Sequence, residues 1–282
     1  MAVRALRAEG VATADIVRGG ERVGIYYIEK GASQRPSKVI YDRKYSAIGM
    51  ASREDFDWDK ILTDTVWFHF TGITPALGDN VAEICLDAVK ACREKGIKVS
   101  CDLNFRKNLW TSEKAGKVMG ELMKYVDVCI ANEEDADKVF GIKPDHNDVD
   151  SGKLNREGYI DVAKKLSERF GCEKVAITLR ESISANDNNW AAMLYDGEKA
   201  YFSKKYAVHI VDRVGGGDSF GAGLIYSLLS GYDMQDTIEF AVAARTDDHI
   251  AAAEFAFHIS LFRFDLFMLY RLIICIYRNG IF

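Results

Sequence analysis

Over most of its 282 residues the chain alternates apolar runs of strand length with longer stretches of helical periodicity. Strand-length runs fall at residues 66–70, 97–103, 126–131 and 174–179, and the segments 80–95, 113–125, 133–140 and 159–170 carry helical spacing between them. In segment 80–95, Val81, Ile84, Cys85, Ala88, Val89 and Cys92 share one face. Gly96 stops that helix, as Gly141 and Gly171 stop two later ones. Such alternation predicts an α/β fold with a mostly parallel sheet and helices on both faces. A helix begins at 55–62, and runs 190–194 and 199–202 pair around Asp196-Gly197. Runs 23–28 and 38–41, separated by the polar residues 29–37, read as two strands of a separate small sheet. No internal repeat is present.

Composition narrows the class. Hydrophobic residues make up 48% and charged residues 28%, and Gly outnumbers Pro 23 to 3. That is the balance of a soluble globular enzyme with core enough for one large domain or two smaller ones. A net charge of −5 with no basic block argues against nucleic acid as a partner. The six cysteines form no CxxC pair and no secretory apolar segment follows Met1, so they read as reduced, mostly buried thiols of a cytoplasmic protein. The five histidines are dispersed without metal-ligand spacing.

Ligands of a parallel sheet lie at the carboxyl ends of its strands. Three polar clusters are expected there: Asp102-Leu103-Asn104-Phe105-Arg106, Asn132-Glu133-Glu134-Asp135 and Thr178-Leu179-Arg180-Glu181-Ser182. The strongest motif comes later. The β-like run 208–211 leads through Asp212-Arg213-Val214-Gly215-Gly216-Gly217-Asp218 into a helix over 218–230, which Gly231 stops. Glycines admit close backbone approach, and a helix start offers unpaired amides at a positive dipole end, which together make an anion hole suited to phosphate. The dinucleotide fingerprint fails because Phe220 stands where it needs Gly. The P-loop pattern fails because Ala222 stands where it needs Lys. Asp218 reads as the N-cap of its helix and as a carboxylate able to accept a proton beside the anion hole.

The glycine motif resembles the signature of the ribokinase (PfkB-type) family of carbohydrate kinases, with Gly216 where that family usually has alanine. The resemblance implies a ribokinase-like three-layer fold with a small β lid, with Asp218 as catalytic base and Gly215, Gly216 and Gly217 supplying the anion hole. It implies ATP as phosphoryl donor with Mg2+. The family's Asn-x-x-Glu motif corresponds to Asn132 and Asp135, one methylene shorter at its last position, and ties these two indirectly to Mg2+. Asn132 capping a helix whose first turn is acidic accounts for the same tetrapeptide.

Within the family, Gly24-Ile25-Tyr26-Tyr27, the run from Gly31 to Lys38, Tyr41-Asp42-Arg43, Asp102-Leu-Asn-Phe-Arg106 and Ile177-Thr-Leu-Arg-Glu-Ser-Ile-Ser184 resemble the 2-keto-3-deoxygluconate kinases. This implies that Tyr26, Tyr41, Arg43 and Arg106 contact the sugar acid. It also implies that Asn104 and Arg106 lie near the ATP phosphates, with Thr178, Arg180 and Ser182 on the nucleotide side. An Arg fork matches a carboxylate, and a tyrosine offers a hydroxyl and a flat face. Tyr27 reads as edge-strand packing.

The implied reaction is ATP-dependent phosphorylation of 2-keto-3-deoxygluconate at its terminal hydroxyl. Alternatives are a fructokinase- or ribokinase-type neutral-sugar kinase, and an impaired fragment that serves as an interaction module. The kinase domain is expected over 1–244, lacking the family's first strand and sugar-binding glycines, with lid strands at about 23–48 that pair two subunits in this family. Residues 245–282 are expected to be an apolar tail foreign to the family, interrupted by Arg263, Asp265 and Arg271 and so not a membrane span. On that reading this chain turns over poorly.

Overall fold

The computed structural model describes residues 2–29, 31, 35, 38–132, 134–145, 156–184, 186–210 and 214–247. Much of the run from Gly31 to Lys38, Glu133, residues 211–213 with Asp212 and Arg213, and the tail from residue 248 onward, Cys275 included, lie outside them.

A short exposed helix α1 (Ala2–Ala8) precedes two strands, β1 (Ile25–Glu29) and β2 (Lys38–Asp42). These pair antiparallel as a separate two-stranded sheet. Tyr26 faces Tyr41 and Ile28 faces Val39 on one side of it, while Ile25, Tyr27 and Ile40 occupy the other. A hairpin this small has little stability of its own. It is tied down by Arg22, which donates to the Asp42 carboxylate at 2.8 Å and to the Asp42 and Lys44 carbonyls at 2.7 and 3.0 Å.

The helix expected at 55–62 forms only as a single turn, α2 (Trp58–Ile61), started by Asp57, whose side chain accepts from the Lys60 amide. The large sheet follows: β3 (Trp67–Thr71), helix α3 (Asp79–Lys95), β4 (Lys98–Asp102), α4 (Ser112–Leu122), β5 (Val128–Asn132), α5 (Asp135–Phe140), α6 (Arg156–Phe170), β6 (Lys174–Ser182), β7 (Asp187–Tyr195), β8 (Ala200–Phe202), β9 (Tyr206–His209), α7 (Gly216–Leu229) and α8 (Met234–Asp247). Its order is β3-β4-β5-β6-β7-β8, with β9 also on β7. Strands β3 to β6 run parallel and the β6–β7, β7–β8 and β7–β9 pairs antiparallel.

Alternation along the strands sends side chains to two cores. Phe68, Phe70, Val99, Cys101, Cys129, Val175 and Ile177 pack with α3, α4, α5 and α6 on one face. Trp67, Val128, Ile130, Ala176, Ala192 and Leu194 pack with α7 and α8 on the other. The three layers expected from sequence are thus present. The five described cysteines are free and buried, all in the first core. No helix among the described residues is long and apolar enough to cross a membrane.

Strand β6 differs from expectation. It runs to Ser182 rather than ending at Leu179, because β7 begins at Asp187 and pairs with it as far as Ser182↔Asn188. Thr178, Arg180 and Ser182 are therefore inside a strand, on one face of it, rather than in a loop after it.

Candidate active site

The carboxyl ends of β3, β4 and β5, the start of α7 and the small sheet supply the polar groups. Gly72, just past β3, crosses the loop after β4 so closely that a Cβ on it would lie 2.2 Å from the Leu103 carbonyl oxygen. Its amide donates to the Asp102 carbonyl at 2.8 Å. The chain then turns through Asn104, which holds φ +40°, an uncommon angle for a side-chain-bearing residue. Asn104 donates its backbone N–H to Asp102 Oδ1 (3.1 Å) and its side-chain amide to Thr71 Oγ1 (3.2 Å). These bonds lock the loop and deliver Phe105 and Arg106.

Asn132 and Asp135 close the next turn. Asn132 Oδ1 accepts from the Glu134 and Asp135 amides at 2.9 and 3.0 Å. Asp135, buried, accepts from the Asn132 amide on Oδ2 and from the Phe105 amide on Oδ1, each at 3.1 Å. Both side chains are thus committed to backbone amides, and Asp135 joins the β5–α5 turn to the loop after β4. Among the described residues no group of three or more His, Cys, Asp or Glu side chains is arranged to hold a metal ion.

Asp102 was expected at the ligand end of the sheet as part of its polar cluster, but with no role of its own. Burial, then the like charges of Asp135 and Asp218, push its pKa up to about 8, and Arg106 opposes this. These interactions bring Asp102, Arg106, Asp135 and Asp218 into one electrostatic neighbourhood. The available signal was a lone carboxylate ending an apolar strand.

The glycine loop enters α7 through Gly215 in the left-handed conformation (φ +89°). Gly215 is the cap, and Asp218 is the third helical residue. This corrects the expectation that Asp218 caps the helix: a left-handed backbone is cheap for glycine and costly for aspartate, so the cap falls on Gly215. A Cβ on Gly217 would meet nothing within 4 Å, so there is open space over the first turn. Ser219 returns its amide and hydroxyl to the Gly215 carbonyl at 2.8 and 3.2 Å.

On the small sheet, the Arg43 guanidinium lies 4.3 Å from the Tyr41 ring centre, and Tyr41 and Tyr26 are 6.2 Å apart, tilted at 49°. Burial lowers the Arg43 pKa. The Tyr41 and Tyr26 hydroxyls raise it, and the Arg106 charge lowers it further. The Arg106 charge is thus felt at Arg43, which links the loop after β4 to the small sheet electrostatically. Tyr27 points to the opposite side and is exposed rather than packed, which corrects the expectation of edge-strand packing: β1 and β2 form a separate two-stranded sheet whose outer face is left open.

Thr178 stands beside Asn132 in the β5–β6 register and reaches the Ala131 carbonyl at 3.5 Å. Arg180 and Ser182 both donate to Asn188 Oδ1 on β7, at 2.9 and 3.1 Å, and the Arg180 guanidinium lies 5.5 Å from the Trp190 ring centre. Asn188 carried no signal in the sequence.

Comparison with known proteins matches residues 1–245 to the pfkB family of carbohydrate kinases. The 2-dehydro-3-deoxygalactonokinase of Haloferax volcanii is 30% identical over 222 residues, 79% of this chain. The chain spans 63% of the length of that relative. The 2-dehydro-3-deoxygluconokinase of Thermoproteus tenax is 25% identical over 246 residues, covering 86% of this chain and 67% of its own. Among solved structures, the 2-dehydro-3-deoxygluconokinase of Thermotoga maritima superposes with a TM-score of 0.82 at 53% identity, covering 88% of this chain and 74% of that one.

Proposed function

Because the chain belongs to the pfkB family of carbohydrate kinases, we propose that it phosphorylates 2-keto-3-deoxygluconate (2-dehydro-3-deoxygluconate) at its terminal hydroxyl with ATP. The observation that carries this reading is the grouping of Arg43 with Tyr41 and Tyr26 on the small sheet, where the Arg106 charge is also felt. Two like charges that feel each other favour an anion nearby, and a planar fork fits a carboxylate. The relatives named for 2-dehydro-3-deoxy sugar acids point the same way. A neutral-sugar kinase of the same family has no use for such a clamp.

The remaining roles follow from position. The first turn of α7, with Gly215, Gly216 and Gly217, offers backbone amides and open space to phosphate oxygens. Asp218 accepts the proton of the attacking hydroxyl, and the loose transition state of phosphoryl transfer asks mainly for positioning and charge stabilisation. Asn104 and Arg106 lie on the phosphate side, and Thr178, Arg180 and Ser182 on the nucleotide side. Asp102, Asp135 and Asp218 share one electrostatic neighbourhood, and a divalent cation such as Mg2+ arriving with the nucleotide would favour their ionised forms, Asp102 giving up the proton that burial otherwise keeps on it. Asn132 and Asp135 act on that cation indirectly, by shaping the loops around it. The outward face of the small sheet, with Ile25, Tyr27 and Ile40 exposed, is offered to a second copy. The kinase domain is taken to end near residue 244.

The test is ADP release measured with 2-keto-3-deoxygluconate, its C4 epimer, fructose and ribose. Turnover on the two sugar acids alone supports the reading. Turnover on fructose or ribose instead would make the protein a neutral-sugar kinase. ADP release with none of them would leave an interaction module.

A further inference from the structure

Asn188 is 1% exposed, yet its amide Nδ2 has no hydrogen-bond partner. A buried donor without a partner is costly, and such groups are rare in folded proteins. The other end of the same side chain is fully used: Oδ1 accepts from Arg180 Nε at 2.9 Å and from Ser182 Oγ at 3.1 Å. Asn188 pairs with Ser182 of β6 on one side and Val208 of β9 on the other. It therefore stands between the strand that carries Arg180 and the strand that leads towards the glycine loop. Trp190, two residues along the same strand face, lies beneath the Arg180 guanidinium at 5.5 Å. Fixing an arginine at its Nε and against an aromatic plane restricts the rotamers of a side chain that otherwise has many. Core packing alone would be served by leucine of nearly the same size, without the unpaired donor.

We propose that Asn188 is a positioning residue for nucleotide binding, holding the Arg180 guanidinium in the orientation that meets the nucleotide. This rests on the reading above that Arg180 lies on the nucleotide side, and the test separates the two. Calorimetry on the 282-residue chain gives the dissociation constants of ATP and of 2-keto-3-deoxygluconate for wild type, Asn188→Leu, Asn188→Asp, Arg180→Ala and the Arg180→Ala/Asn188→Leu pair. Asn188→Leu is expected to weaken ATP about tenfold, the scale of a lost charge-assisted bond, and to leave the sugar acid and the melting temperature nearly unchanged. Asn188→Asp keeps the acceptor and should stay within about threefold of wild type by the same reasoning. In the Arg180→Ala background, Asn188→Leu should add nothing, because both changes remove one interaction. If Arg180→Ala weakens ATP but Asn188→Leu does not, or if the two effects add, the positioning role is overturned. If Arg180→Ala leaves ATP binding intact, the placement of Arg180 fails and the inference with it. A loss shared equally by ATP, sugar acid and thermal stability would make Asn188 purely structural.

Discussion

At the scale of single residues, two titrations of opposite sign shape the stability of the protein. His69 on β3 has its pKa lowered by burial from 6.5 to about 4, with Nδ1 2.7 Å from Ser100 Oγ, which also accepts from the Trp67 indole. Between pH 4 and 6.5 the unfolded chain binds a proton there that the folded chain does not, so stability falls as pH drops through that window. Asp102 behaves in reverse. Its folded pKa of about 8 lies above the ordinary 3.8, so the folded state keeps a proton that the unfolded state has lost, and stability falls as pH rises between those values. The two oppose each other below pH 6.5. Above it Asp102 acts without His69, at about 1.4 kcal/mol per pH, and burial shifts Asp135 in the same direction. Urea midpoints should therefore decline from pH 6.5 to 8 in the wild type. In Asp102→Asn that decline should shrink and the acid-side loss from His69 should emerge, whereas an unchanged profile would contradict the burial assigned to Asp102. Asp218→Asn should abolish phosphoryl transfer while sparing ATP binding, because the amide keeps the shape and removes the base. Near-normal turnover would remove Asp218 from the base role.

At the scale of elements, the loop after β4 depends on one close approach. Gly72→Ala places a methyl 2.2 Å from the Leu103 carbonyl, and backbone must move to admit it. The expected cost is about 1–3 kcal/mol, or a fall of several degrees at roughly 2–4 °C per kcal/mol. Turnover should fall as well, because Asn104 and Arg106 ride on that loop, and an unchanged melting temperature would show the crossing to be loose. This element also marks where the sequence ceased to be legible. The helices and parallel strands could be read from their periodicity, since apolar spacing is what buries them. The turn chemistry could not: nothing in Asp102-Leu-Asn-Phe-Arg announces that Asn104 takes a positive φ, or that Asp135 reaches back to the Phe105 amide. Asp218 was singled out by its motif but expected at the cap of its helix, because the left-handed cap at Gly215 is a backbone property that three successive glycines leave ambiguous. Asn188 was invisible because its partners, Arg180 and Ser182, come from another strand whose register the sequence does not state.

At the scale of the whole molecule, both faces of one sheet are packed, and the proposed site lies at the carboxyl ends of its parallel strands. Cys85, Cys92, Cys101, Cys129 and Cys172 belong to a single core, and burial raises the thiol pKa of each. They should resist a thiol reagent in the folded state and become labelled together as the domain unfolds. Mass spectrometry across a urea series reads this directly, and early labelling of one of the five would reveal a subunit of the fold that opens independently. The central claim, though, concerns a carboxylate held between lid and sheet. The most direct measurement is the ratio of kcat/KM for 2-keto-3-deoxygluconate to that for 3-deoxyfructose, which differs from it only in bearing a hydroxymethyl group in place of the carboxylate. A charge-assisted clamp worth about 1.5–3 kcal/mol predicts a ratio of roughly 10–100 in the wild type, falling towards one in Arg43→Ala with the KM for ATP unchanged. A ratio near one in the wild type would contradict it.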